Sequence, residues 1–431
     1  MKQTLIFAFA LLLCATSIFA QAPEQWSRFR GPNGQGVSTA TGLPTQWSDT
    51  ENIAWKKAIP GEGWSSPVIW NDYIFLTSAT DGGKECHVIA VDRKNGDILW
   101  DKPVFTQELS MRHDRNSRAT PTPVTDGQKV YAVFPNGHFV ALDFSGNVVW
   151  KNTDLNFYSQ HGFGASPMLY GDLLITAINP SINPKDNPND EPVRNGWQLP
   201  WDRSYLWALD KNTGKERWKA MRGMSRISHS TPVVIQVNGK DQIVSMAGDV
   251  IQGFEPATGE MIWTVTNSGE PAVPVPAVGE GMVFMCTSPS SPIFGIKTDG
   301  KGDVTDTHVV WQQRRHAPMT ASLLYVKPNL YVASDGGTFA ALEPATGNVL
   351  WEHRLTGGRP DSAAIYADGK IYITTHLGTT TVLAPNADPK SPPEVIAVND
   401  IGESVQVQAT LAIAGKQIFL RTDKELWCIG K

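Results

Sequence analysis

The chain has 431 residues, with 37 basic and 42 acidic side chains and a formal net charge of −5. That balance, with no basic runs interleaved with aromatics, excludes bulk nucleic-acid binding. Only four cysteines are present, which excludes a disulfide-built scaffold.

From the N-terminus, residues 1–20 read as a signal peptide. Lys2 gives a positive start, Leu5 to Leu13 form an apolar run too short to span a bilayer, and Ala20 suits cleavage. Leu13 stands before Cys14, where a lipid-attachment box wants Gly, Ala or Ser. No transmembrane segment is expected in the remainder, so the mature protein reads as exported, either periplasmic or secreted, and as a monomer. Residues 21–50 form an N-terminal extension, Gly-rich and polar, with Trp26, Phe29 and Trp47 as anchors. Cys86, Cys286 and Cys428 remain after cleavage, an odd number that leaves at least one unpaired.

From residue 51 onward one pattern recurs: Ala-x-Asp/Glu, three residues, Gly, three residues, Trp. Ala90-Val91-Asp92 leads to Gly96 and Trp100, Ala208-Leu209-Asp210 to Gly214 and Trp218, and Ala341-Leu342-Glu343 to Gly347 and Trp351. Gly253-Phe254-Glu255 precedes Trp263, and Ala141-Leu142-Asp143 precedes Trp150 with a turn one residue shorter. Trp311 follows a longer loop, and Trp55 ends a similar strand with nothing before it. Physically this is a β-hairpin: the carboxylate accepts from turn amides and Gly takes a positive φ. A Trp buried between sheets removes about 150–250 Å² from water. That is worth roughly 4–6 kcal/mol as an upper bound. Trp55, Trp100, Trp150, Trp218, Trp263, Trp311 and Trp351 are therefore assigned to packing between neighbouring sheets.

A small residue or Thr before Pro opens most units, as in Ser66-Pro67, Thr122-Pro123, Ser166-Pro167, Thr231-Pro232 and Val275-Pro276. Pro suits the first residue of a strand. Each unit is then four strands, A to D, and the eighth Trp equivalent falls near Ile396 to Val398. A last A-B-C set from Val407 to Ile429 lacks a strand D, while Asn52 to Lys56 is a strand D alone. The expectation is an all-β protein, an eight-bladed β-propeller of four-stranded antiparallel blades over residues 51–431. It would close by pairing the N-terminal strand with the C-terminal blade.

On these motifs the chain resembles the quinoprotein-like propellers, the pyrroloquinoline-quinone (PQQ) repeat family. Ala208-Leu209-Asp210-Lys211-Asn212-Thr213-Gly214-Lys215-Glu216-Arg217-Trp218 matches its tryptophan-docking motif, and Trp26 to Gly34 resembles the opening of exported PQQ-like repeat proteins. For the dehydrogenase branch the resemblance implies PQQ with calcium, an adjacent Cys-Cys pair and a catalytic Asp. No two cysteines are adjacent here, and neither the calcium ligands nor the Asp can be carried over. In the other branch the fold is a cofactor-free binding scaffold.

Strand order places D–A and B–C connections on one face, with D–A segments nearest the axis. The D–A segments hold nine of sixteen arginines and five of nine histidines. One reading is a cationic funnel for an anionic ligand, since Arg forks bind carboxylate, sulfate or phosphate. The other is that these cations pair with nearby acids such as Glu352 and Asp361. The candidate funnel residues, each just before a strand A, are Arg118, His161, Arg226, His229, His316 and Arg359, with Trp64 as a stacking or packing residue. The insertion from Asn179 to Arg203, with Trp197 and Trp201, falls between strands B and C of blade three on that face. It reads as a lid or docking arm, or as decoration. Asp299 to Asp306 reads as a Gly-rich hairpin. The leading function is a binding scaffold for a protein, glycan or other anionic ligand. The alternative is a PQQ-dependent alcohol or sugar dehydrogenase.

Overall fold

Each repeat folds as four antiparallel strands, and the computed structural model arranges eight such sheets as a β-propeller. It describes residues 25–186, 195–270, 273–287, 291–402 and 405–430. The signal-peptide assignment and part of the insertion, residues 187–194, lie outside the described residues. Blade one shows the pattern, running outward from the axis as Val68–Trp70, Tyr73–Thr80, Glu85–Asp92 and Ile98–Thr106. The sheet formed by Ala412–Ala414, Gln417–Arg421 and Glu425–Ile429 takes Ile53–Ala58 as its fourth strand, with Trp55 opposite Cys428. Among the described residues no helix is long and apolar enough to cross a membrane.

The repeat motif can be decoded residue by residue. The small residue faces the Trp of its own blade across the ladder: Ala90 pairs with Trp100, Ala208 with Trp218, Gly253 with Trp263 and Ala341 with Trp351. Without a long side chain there, the indole can lie over the sheet. The carboxylate then holds the turn, as Asp210 does by accepting from the amides of Asn212 and Thr213, both at 3.0 Å. The carbonyl of the next residue accepts the indole N–H of the preceding blade. These bonds run from Trp55 to Arg93, Trp100 to Phe144, Trp150 to Lys211, Trp218 to Pro256 and Trp311 to Pro344, at 2.8–3.2 Å. The motif Gly lies under that same ring, and a Cβ at Gly214 would sit 2.5 Å from Trp150. Trp351 is buried in one cluster with Ile371, Ile373 and Leu383 of blade seven.

Blade four differs. The expected Gly-rich hairpin at Asp299 to Asp306 is instead a strand pair and a helical turn. Gly302–Asp303 runs parallel to Trp263 and Thr264 as a fifth strand, followed by a short helix, Thr305–His308. Val304 is buried beside it and bonds through its amide to Thr264 O at 2.9 Å. The Trp263 indole turns back to Gln242 at 2.9 Å within its own sheet.

Around the axis a belt of hydrogen bonds joins the blades. The backbone N–H of the residue that opens strand A donates to the hydroxyl of its equivalent in the next blade. Ser66 donates to Thr122, Thr122 to Ser166, Ser166 to Thr231, Val275 to Ser322, Ala363 to Thr410 and Thr410 to Ser66, all at 2.9–3.1 Å. Val275 and Ala363 offer no hydroxyl, and substitutes bridge those two junctions. Ser230 Oγ donates to Pro274 O at 2.7 Å, and Thr320 Oγ1 bonds Asp361 at 3.3 Å.

The N-terminal segment enters the axial channel from the face opposite the D–A connections. Gln25–Trp26 pairs with Trp70 and Ile69, making a fifth strand on the inner edge of blade one. The chain then turns, with Arg30 bonding Leu323 O at 2.6 Å and Gln35 bridging Pro276 and Val278. It leaves across blades seven and eight, where Trp47 stacks on Tyr372 with centroids 6.5 Å apart.

Two stability measurements follow. Trp218→Ala removes a ring buried between two blades and should cost about 3–5 kcal/mol in denaturant unfolding. Thr122→Val keeps the shape but orphans the Ser66 N–H, and should cost about 1–3 kcal/mol. Wild-type stability in either variant would contradict the role given to that contact.

Candidate functional site

A cavity of about 330 Å³ lies on the axis at the face carrying the D–A and B–C connections. Its wall includes the belt hydroxyls of Ser66, Thr122, Ser166, Thr231, Ser322 and Thr410. Above them stand His113, His161 and His229, brought by the successive D–A loops that enter blades two, three and four. Trp64 contributes from the loop entering blade one, Trp197 from the blade-three insertion, and Phe29 from the N-terminal segment.

The histidines form a connected row. Ring centroids are 5.8 Å apart for His113–His161, 6.0 Å for His161–His229 and 5.2 Å for His161–Trp197. Asn116 holds the row by donating from Nδ2 to His161 O at 2.6 Å, and the Arg115 amide donates to His113 Nδ1 at 3.1 Å. Burial, then the neighbouring His113, lowers the His161 pKa. Burial, then His161 and His113, pushes His229 down to about 3. Its Nε2 is buried without a hydrogen-bond partner. At neutral pH His161 and His229 are therefore uncharged.

Of the seven residues singled out in the sequence, Trp64, His161 and His229 line the cavity. Arg118, Arg226, His316 and Arg359 do not. Arg118, Arg226 and Arg359 each have a partner, and His316 lies beside a carboxylate. Arg226 Nε lies 3.0 Å from Asp249, and Arg359 Nε lies 3.0 Å from Asp361, whose side chain is wholly buried. His316 Nε2 stands 3.2 Å from Glu352, which also pairs with Arg315. Arg118 donates to Ser110 O at 2.6 Å. Arg115 reaches the cavity but is held by Asp335 at 2.8 Å. Sequence reasoning did not assign Phe29 to the site or see that the belt hydroxyls form its wall. It named Trp197 only as part of the insertion.

The face around the cavity has a second property. Leu109, Met111, Leu199, Met224, Met319 and Leu377 are exposed large apolar side chains outside any strand, and all lie on D–A or B–C connections. Among the described residues, no other exposed large apolar side chain lies outside a strand.

The family model described as outer membrane protein assembly factor BamB matches residues 33–161 and 202–431. The chain belongs to this family. The unmatched stretch within the BamB-type propeller, 162–201, holds most of the blade-three insertion and Trp197. No curated protein matches the sequence. Among solved structures, BamB from Moraxella catarrhalis is 15% identical over 88% of this chain and 97% of its own, with a TM-score of 0.55. The computationally designed Ika8 protein is 11% identical over 86% of this chain and 98% of its own, at 0.57. A europium-containing methanol dehydrogenase is 12% identical over 84% and 90%, at 0.45.

PQQ carries three carboxylates, and the cavity offers few cations to match them. Among its lining residues the only guanidinium is Arg115, already bound by Asp335, while Glu270 and Asp361 add negative charge. Among the described residues no group of three or more His, Cys, Asp or Glu is placed to hold a metal ion. The donor set does not fit this trianion, and no step is derived through it.

The histidine row gives a pH prediction. The folded-state pKa of His229 lies below the unfolded value of about 6.5, so no contribution arises above that pH. As pH falls from there toward 3, the unfolded chain binds the proton first. Stability then drops by up to about 1.4 kcal/mol per pH unit, with His161 adding in the same direction. His229→Gln should flatten the fall in Tm between pH 6 and pH 4. An unchanged slope would show that His229 is not the buried neutral group described here.

Proposed function

We propose that this BamB-family propeller is an exported binding scaffold that docks a partner protein on its cavity-bearing face. The observation that carries the reading is the segregation of exposed apolar loop residues to that one face. Met111 and Met224 are each 61% exposed and Leu377 is 50% exposed, around a cavity walled by aromatic rings and by the uncharged imidazoles of His161 and His229. Apolar patches of this kind on a soluble fold mark interaction sites, and methionine adapts readily to a partner. The funnel-face arginines described above are matched by carboxylates or carbonyls, so apolar contact rather than net positive charge supplies the affinity. The family's description as an assembly factor agrees with a scaffold role.

The test places a photo-cross-linking residue at Met224, at Leu377, or at Asn238 on the opposite face, in cells that make the protein. Adducts to an envelope protein are expected from the first two sites only. The double variant Met224→Asp, Leu377→Asp should weaken capture at least about tenfold with Tm unchanged. Equal adducts from both faces would defeat the assignment. A parallel arm adds PQQ and calcium and follows Tm and dye-linked oxidation of alcohols and sugars. Turnover there would replace the scaffold reading with the dehydrogenase one.

A further inference from the structure

The N-terminal segment carries a feature that the docking face does not use. Arg28 is 8% exposed and Arg30 is 0% exposed, deep in the axial channel beside the cavity-lining Phe29. Three of their N–H-bearing atoms, Nε of both and Nη1 of Arg30, are buried with no hydrogen-bond partner. Arg30 Nη2 is satisfied by carbonyls, Leu323 O at 2.6 Å and Gln35 O at 3.2 Å. Among the described residues neither guanidinium has a carboxylate at ion-pair distance, unlike Arg115, Arg226 and Arg359.

We propose that Arg28 and Arg30 together hold one small monovalent inorganic anion, chloride in size and charge, within the axial channel. Removing a guanidinium from water costs several kcal/mol unless it is paired, and two uncompensated like charges raise that cost. One anion between them neutralises one charge and is attracted by both, lowering the cost of each. Burial, then the charge of Arg28, already pushes the Arg30 pKa down to about 9. The local backbone is shaped around the two side chains. A Cβ at Gly34 would overlap the Arg28 guanidinium, and one at Gly36 would sit 3.4 Å from Arg30 Nη2 and 3.1 Å from Ala364 O. Arg30 itself has φ 59, a left-handed conformation that glycine adopts freely and a side-chained residue adopts at a cost. An arginine seated there brings its charge to the channel against two penalties. The anion's size follows from the donors. Three free N–H-bearing atoms match a spherical ion, whereas a tetrahedral oxyanion would bury oxygens with no donor. A divalent ion would also be far harder to strip of water.

The experiment compares Tm of the full mature protein in sodium chloride and in sodium gluconate at equal ionic strength. Chloride should raise Tm by about 2–4 °C. Gluconate is the more strongly excluded anion, so a non-specific salt effect would have the opposite sign. Arg28→Met and Arg30→Met should each abolish the difference. Crystals grown in sodium bromide should show an anomalous peak in contact with Nε of both arginines. Equal Tm in the two salts, or water in place of the peak, would overturn the proposal. A bromide peak without a chloride-dependent Tm would mean an adventitious ion only, and would overturn it too. If neither variant folds, the wild-type salt pair and the bromide map decide the matter.

Discussion

The belt of backbone N–H to hydroxyl bonds at the start of six of the eight A strands is the constraint on which the rest depends. Strand A is the innermost and one of the shortest in most blades, three residues in blade one and two in blade two. Such strands have little ladder of their own, so their positions are set by what joins them sideways. One hydrogen bond per junction fixes the spacing of eight loop ends around the axis. Those loop ends carry Trp64, His113, His161 and His229. The cavity is thus a consequence of how the blades are tied, and its wall is the tie itself.

The tryptophan motif and the belt hold neighbouring blades at two radii. Indole bonds act near the rim and hydroxyl bonds near the axis, and both run from one blade to the next in the same sense. Where a junction lacks one belt hydroxyl, Ser230 or Asp361 bridges it from a neighbouring position. A side-chain hydrogen bond thus crosses those junctions too, although the repeats are unequal. Buried N–H groups left unpaired at that radius would cost more than the short strands could return.

Much of the fold was legible in the sequence because the motif Ala-x-Asp-…-Gly-…-Trp is local, and each residue type has a local reason. Even the blade without Trp was placed correctly, since Ala397 occupies the indole position opposite Val382. The site was legible only in part. Trp64, His161 and His229 could be found because residues just before strand A must face the axis. The pairing of Arg226 was not legible because its partner, Asp249, lies 23 residues away on another connection of blade four, and periodicity does not show who neutralises whom. Glu352 and Asp361 were recognised as possible partners, but charge counting alone could not choose between pairing and a free funnel. Phe29 and Trp197 arrive from an extension and an insertion, where no repeat register applies. The hydroxyls of Ser66-Pro67 and Thr122-Pro123 read as strand openers. Their role as acceptors for the adjacent blade needs the closed ring.

The N-terminal segment has a consequence for how the chain is made. Residues 25–27 contact Ile69, Trp70 and Thr125 early in the chain, whereas the rest of the segment to residue 47 contacts Pro276, Leu323, Tyr366, Asn399 and Gly430 in the second half of the sequence. During synthesis residues 28–47 must wait for those later partners to emerge. Contacts of such sequence separation form late and slowly. The channel is thus filled from the chain's beginning only at the end of folding, which makes the threading of this segment a natural last checkpoint on assembly of the ring.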